Sequence, residues 1–157
     1  MELATEKMLS ALNDALAETF EGLAFAEAEP CQQVNVLPKP VQDYRVAVIE
    51  LQQPFSAKLS LFFEKEQANE LFETTVGLTA EDPQIVDDML GEFANTIFGC
   101  FVRNLLNNGE PFNLGYPKSG SQAQRIAMEE VNKSMLLSCD VDMEPIYLSF
   151  SHNVPQK

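Results

Sequence analysis

A chain of 157 residues, 45% of them hydrophobic, is long enough to bury one sizeable core, so a single domain spanning 1–157 is expected. Its 24 acidic against 10 basic side chains give a formal net charge of -14, which disfavours nucleic acid and anionic membrane surfaces and favours a partner offering a basic patch or a lysine. No stretch approaches about 18 consecutive apolar residues. The start Met-Glu-Leu-Ala-Thr-Glu-Lys has neither the basic lead nor the apolar core of a signal peptide, and the expected location is cytoplasmic.

Leu9, Leu12, Leu16, Phe20 and Leu23 recur at steps of three and four with Asp14, Glu18 and Glu21 opposite, which predicts an amphipathic helix over 2–26, ending near Pro30. A short edge strand over Gln33–Leu37 and a loop through Pro38 and Pro40 follow, because proline cannot donate to a ladder. Tyr44–Leu51 is rich in β-branched and apolar residues. Ala57, Leu59, Leu61 and Phe63 then alternate with Lys58, Ser60 and Phe62, so the two runs around Gln52-Gln53-Pro54 form a hairpin with one face buried. Helical spacing returns over Lys65–Val76 through Ala68, Leu71, Phe72 and Thr75, with Gly77 as the stop.

The longest element runs from Asp82 to Asn107, with Asp82 placed to cap and Pro83 at the first helical position. At 100° per residue Val86, Met89, Leu90, Phe93, Ala94, Ile97 and Phe101 share one face, whereas Asp88, Glu92, Asn95 and Gly99 form a line on the other. Such a line is most often an ordinary solvated face, and the spacing by itself does not separate that use from a site. Gly91 and Gly99 each cost about 1 kcal/mol relative to alanine inside a helix, which makes sense if another backbone, a partner's or a neighbouring strand's, comes close. From Asn108 to Ser121 three glycines and two prolines shape a surface loop with room for a short strand. A turn over Gln124–Asn132 leads to strands at Ser134–Val141 and Ile146–His152, separated by a turn at Asp142–Pro145.

Cys31, Cys100 and Cys139 are odd in number and far apart, with neither a disulfide framework nor metal-ligand spacing, and read as free, mostly buried thiols. His152, the only histidine, has no carboxylate or cysteine within a few residues and reads as structural, so no metal site is expected. Ser119 and Ser121 belong to no nucleophile or phosphate-cradling motif. Phe55, Phe62, Phe63, Phe93, Phe98 and Phe101 follow core periodicities.

Laid on one another, the first and the long helix give Asp14-x-x-x-Glu18-x-x-Glu21 against Asp88-x-x-x-Glu92-x-x-Asn95, each followed by a glycine- or proline-marked exit into strands. Amphipathic helices also share such spacing by chance. As a repeat it predicts an α+β single domain with pseudo-twofold halves of roughly 1–77 and 78–157, in which an antiparallel β-sheet packs against two long helices. The copies differ at Glu21 against Asn95 and at Phe25 against Gly99.

Asp88-x-x-x-Glu92-x-x-Asn95, followed by Pro117 in Leu-Gly-Tyr-Pro-Lys-Ser-Gly, resembles the Asp/Ser-x-x-x-Glu-x-x-Asn plus distal proline signature of the CheC/CheX/FliY chemotaxis phosphatases, one residue short in the spacing to the proline. With one intact copy the chain is closest to CheX-like members. The resemblance implies a phosphatase for the aspartyl-phosphate of a CheY-type receiver, with Glu92 docking to the receiver's lysine and Asn95 orienting the attacking water. It also implies partner contacts by Asp88, Gly91, Gly99 and Pro117, a homodimer, and no cofactor of the chain's own, Mg²⁺ being carried by the receiver. An uncharged carboxamide can hold water without repelling phosphoryl oxygens, so the first helix, with Glu21, is expected to be inactive. The alternative is a catalytically silent adaptor of the same fold that binds a receiver or a flagellar-switch partner.

Overall fold

The structure, a computed structural model, describes residues 4–106 and 109–154. Positions 2 and 3 of the first predicted helix, the predicted end of the long helix at Asn107, and Asn108 of the loop lie outside them. In chain order the elements are α1 (Thr5–Ala24), β1 (Gln32–Gln33), β2 (Tyr44–Gln53), β3 (Ala57–Glu64), α2 (Lys65–Val76), α3 (Pro83–Leu105), β4 (Asn113–Leu114), β5 (Lys118–Ser119), α4 (Gly120–Glu130), β6 (Met135–Val141) and β7 (Glu144–His152). Single 3₁₀ turns at Val41–Asp43 and Val131–Lys133 precede β2 and β6.

The strands form one antiparallel sheet in the order β1-β6-β7-β3-β2-β4, with β5 also paired to β2. From either edge the order reads a two-residue strand and then a hairpin, around a centre between β7 and β3. Each hairpin is set by local chemistry. The β6–β7 connection is a two-residue turn in which Asp142 and Met143 both take positive φ (47° and 71°), matching the right-handed twist of the strands. It is therefore shorter than the predicted Asp142–Pro145 turn, and Pro145 already pairs with Asp140.

Alternation along β2 divides its side chains between two cores. Ala47, Ile49 and Leu51 join the main core with Phe20, Phe93, Ile97 and Phe101, under α1, α2 and α3. Tyr44, Val46 and Val48 point the other way and meet Phe62, Ala123 and Ala127, the last two from α4. Both faces of the hairpin are thus covered, not the single face expected. The missing cover was α4, which lies where the sequence predicts only a loop and a turn. Its buried stripe consists of two alanines four residues apart, too small to stand out as an apolar periodicity, and its first residue is Gly120 at φ 65°.

α2 and its stop fall where the spacing puts them, with Gly77 at φ 82° donating its N–H to the Glu73 carbonyl. α3 starts as read: Asp82 accepts from the Gln84 N–H at 2.9 Å and Pro83 occupies the first turn. α1 is rotated from its expected face, because it lies against α3 as well as the sheet. Met8, Ala11, Leu12, Ala15, Leu16 and Phe20 are buried, while Leu9 is half-buried and Leu23 is 39% exposed. Phe20 and Phe93 hold the α1–α3 seam, ring centroids 5.5 Å apart.

α1 also ends earlier than the sequence suggests. Phe25 turns left-handed at φ 53°, its N–H reaches the Glu21 carbonyl, and the Ala26 N–H reaches that of Phe20 at 3.1 Å, closing the helix as a glycine normally does. The Phe25 ring is 86% exposed, so little packing offsets the left-handed backbone. Phe25→Gly is therefore expected to raise unfolding free energy by about 1 kcal/mol. Urea unfolding checks this, and a loss of stability would show that the ring is held by contacts the fold does not reveal.

Candidate functional site

α3 sends its apolar stripe inward and thereby fixes what faces out. Asp88 and Glu92 are exposed, Asn95 is half-buried between its neighbours, and Thr96 is exposed. Asp88 accepts from Gln84 Nε2 at 2.8 Å, one turn earlier on the same helix. Neither Glu92 nor Asn95 has a side-chain hydrogen bond or ion pair among the described residues. The line thus presents a tethered carboxylate, an untethered carboxylate and an amide with open hydrogen-bonding capacity. A cavity of about 560 Å³ lies on the α4 side of the sheet, lined by Glu50, Lys58, Leu114, Tyr116, Lys118 and Glu129 among others, and none of Asp88, Glu92 and Asn95 lines it.

Gly91 and Gly99 are buried, and the chain itself covers them. A Cβ at Gly91 would stand 3.6 Å from Pro117 Cβ, and one at Gly99 would stand 3.5 Å from Arg103 Nη1 and 3.9 Å from Leu114 Cδ1. The approach expected at these glycines is therefore made by side chains of this chain and not by a backbone. Leu114, Pro117 and Gly120 lie beside Gly99, Gly91 and Asp87 in turn, so the segment after α3 runs back along the helix flank, antiparallel to it. Asn95 sits between the two glycines, four residues from each, with Pro117 half-buried beside Gly91.

Two further contacts were not singled out by the sequence: one pairs this segment with β2, and the other ties α3 to the same strand. β4 and β5 pair with β2, setting Leu114 opposite Leu51 and Ser119 opposite Ala47. Asp87, buried although its neighbour Asp88 is exposed, forms an ion pair with Arg45 Nη1 of β2 at 3.1 Å, side chains 12% and 18% exposed. Taking away either partner would leave a mostly buried charge, a loss of about 3 kcal/mol. The signal was present: Arg45 interrupts an apolar strand, and of two adjacent acids on a helix only one can face water.

The corresponding line on α1 is organised differently. Asp14, Glu18 and Glu21 are exposed, but Glu18 Oε2 accepts from the Cys100 thiol of α3 at 3.1 Å. Burial, helped by that carboxylate, pushes the Cys100 thiol up to about 11. Phe25, aligned with Gly99, lies past the end of α1. His152 is half-buried in β7, its Nδ1 accepting from the Val154 N–H at 3.1 Å, and burial holds its pKa below the usual value. Among the described residues no three His, Cys, Asp or Glu side chains group as metal ligands, and no helix is long and apolar enough to cross a membrane.

Two long helices lie on one face of an antiparallel sheet, one of them carrying an outward carboxylate–amide line flanked by a returning proline segment, and this α+β fold is the one found in CheC/CheX-like proteins. The family model described as chemotaxis phosphatase CheX matches residues 45–141, and the chain belongs to that family. No curated protein matches the sequence closely enough to count as a relative. Among solved structures, the CheX–CheY complex with BeF₃ and Mg²⁺ from Borrelia burgdorferi is similar at TM-score 0.71 and 16% identity, covering 93% of this chain and 97% of that one. The chemotaxis protein CheX from Vibrio vulnificus gives 0.68 at 12% identity, covering 93% and 99%. FliY of Thermotoga maritima gives 0.60 at 14%, covering 95% and 91%. At these identities the likenesses carry the fold.

The spacing at Gly91 sets a test of the packing. A methyl there makes ordinary van der Waals contact with Pro117 and gains helix propensity, so Gly91→Ala is expected to be neutral or stabilising by up to about 1 kcal/mol. Gly91→Leu has no room and displaces Pro117, lowering the denaturation midpoint. Equal behaviour of the two variants in urea would mean that Pro117 is not packed on the helix.

Proposed function

We propose that this protein is a phosphatase acting on the aspartyl-phosphate of a CheY-type receiver, with Glu92 and Asn95 as its working side chains. The observation that carries the proposal is the placement of a carboxylate and a carboxamide, three residues apart on the outward face of α3 and without partners among the described residues. Membership of a family described as chemotaxis phosphatase, and a fold shared with a CheX solved together with CheY, support it.

Acyl-phosphate hydrolysis asks little of a second protein beyond geometry. Water attacks phosphorus, the bond to the aspartyl oxygen breaks, and the aspartate leaves as a carboxylate. The receiver would carry the Mg²⁺ that screens the phosphoryl charge, so the helper need only place water in line and hold the two proteins in register. A carboxamide both donates and accepts, and it does so without the repulsion a carboxylate would exert on phosphoryl oxygens. Glu92, one turn away, would accept an ion pair from the lysine of the receiver's pocket. Asp88 is restrained by Gln84 and would meet the partner further along the same line. Pro117 would border the contact, while Gly91 and Gly99, being buried, would act beneath it by keeping the flanking segment close. A homodimer is part of the proposal, and a solution mass of 17.5 kDa would remove it.

Loss of ³²P from a labelled receiver, timed with and without the protein, is the test. Asn95→Ala is expected to reduce the acceleration roughly a hundredfold while leaving receiver binding intact, since misplacing the water costs rate more than affinity. Glu92→Ala is expected to weaken binding by about 2 kcal/mol, some thirtyfold, and to flatten its dependence on salt. If the unaltered protein binds the receiver without shortening the phosphoryl lifetime, the adaptor reading replaces this one.

A further inference from the structure

Cys31 and Cys139, far apart in the sequence, face each other at the edge of the sheet. β1 and β6 pair with Gln32 opposite Ser138 and Gln33 opposite Leu137, and one more step of that register sets Cys31 opposite Cys139. The Val34 N–H donates to the Leu136 carbonyl at 2.9 Å, so by alternation Cys31 and Cys139 occupy a non-hydrogen-bonded pair. In such a pair the Cα atoms stand about 4.5 Å apart with side chains at their closest, within the roughly 4.4–6.8 Å that a disulfide spans. Ala28 bridges Val141, one residue out of that register, so an extra residue is taken up before Cys31 and the pairing is intact from there on. Both side chains turn to the same side of the sheet, Cys139 inside the main core and Cys31 against it.

We propose that Cys31 and Cys139 form a redox modification site, oxidised by a hydroperoxide to an intramolecular disulfide in which Cys31 attacks first and Cys139 resolves. Cys31 is half-buried and Cys139 is 1% exposed, so an oxidant reaches Cys31 first. The thiol proton of Cys139 has the Glu29 carbonyl oxygen at 3.1 Å, the Asp140 carbonyl oxygen at 4.0 Å and the Cys31 sulfur as acceptors in reach. Hydrogen bonding from Cys139 holds the Cys31 thiol below its ordinary pKa, whereas the same contact and burial hold Cys139 above its own. Cys100 has neither a thiol neighbour nor this bias, and its contact with Glu18 disfavours the thiolate.

The chemistry closes without a further reactant. The Cys31 thiolate attacks one peroxide oxygen, an S–O bond forms as the O–O bond breaks, and the departing oxygen takes a proton to leave as water or alcohol. Cys139 sulfur then attacks the Cys31 sulfenic acid, the S–S bond forms, and hydroxide leaves as water with the Cys139 proton. The two thiols together give up two electrons and two protons, and the peroxide is reduced. The bond ties the two-residue edge strand β1 to β6. It also fixes the segment to α1, because the Cys31 N–H donates to Asn13 Oδ1 at 2.9 Å.

Treating the folded protein with a few equivalents of hydrogen peroxide, then counting thiols in denaturant and mapping peptides without reductant, decides the matter. Thiols are expected to fall from three to one, the intact mass to drop by two hydrogens, a Cys31–Cys139 linked peptide to appear, and dithiothreitol to reverse all three changes. Cys100→Ser should still form the bond. Cys139→Ser should leave a Cys31 sulfenic acid that dimedone traps. Peroxide that leaves all three thiols intact, converts Cys31 to a sulfinic acid without linkage, or joins two chains through Cys31 overturns the proposal.

Discussion

Everything in this fold depends on α3 being committed to the core along one stripe. Val86, Leu90, Phe93, Ala94, Ile97 and Phe101 are each at most 1% exposed, and a stripe of that length leaves the helix no freedom to roll. The opposite face is then determined without any interaction of its own. Asp88 and Glu92 are turned to water because Leu90 and Phe93 are turned away from it. A carboxylate and an amide held by a helix whose other side is close-packed lose little rotational freedom at the backbone, which is the condition for positioning another protein's substrate.

The segment after α3 adds the second constraint. It comes back along the helix, held by β-pairing to β2 and by Pro117 against Gly91, while the Arg45–Asp87 pair ties α3 to β2 near its end. The glycines have a mechanical reading here. With side chains larger than a methyl at 91 and 99, the flank would stand further off and the half-buried Asn95 between them would be more open. The same stretch of chain therefore finishes the sheet edge and borders the proposed site, so stability and geometry are coupled at this place.

How much of this was legible depends on how strong a local signal each element carries. α2, α3 and the two hairpins announced themselves by caps, by periodicity and by β-branched runs, and they fall where those signals put them, the second hairpin with a shorter turn. α4 carried only Ala123 and Ala127 as its inward stripe, so its place on the second face is set by packing against Tyr44, Val46 and Phe62 and is not announced by its own sequence. The exposed line on α3 could be read as a line, because periodicity fixes a face. What lay beside it could not, because Leu114 and Pro117 reach α3 through pairing with β2 that no local pattern encodes. The Cys31–Cys139 juxtaposition was hidden for the same reason: a long-range register brings the two together.

The two long helices share a spacing but not a situation, and the difference follows from neighbours. On α1 the central glutamate is bound by a thiol of α3, the position aligned with Asn95 is a glutamate, and the helix has already ended at the position aligned with Gly99. On α3 the central glutamate is untethered and the helix continues past Gly99 to Leu105, giving the returning segment a surface to lie on. An anionic side chain at the position of Asn95 would face the same phosphoryl oxygens that the protein's charge of -14 already repels. In the proposed function an amide there would avoid adding to that repulsion. The proposal would then leave attraction to Glu92 and a lysine of the partner, so that recognition and water positioning would reside on different side chains.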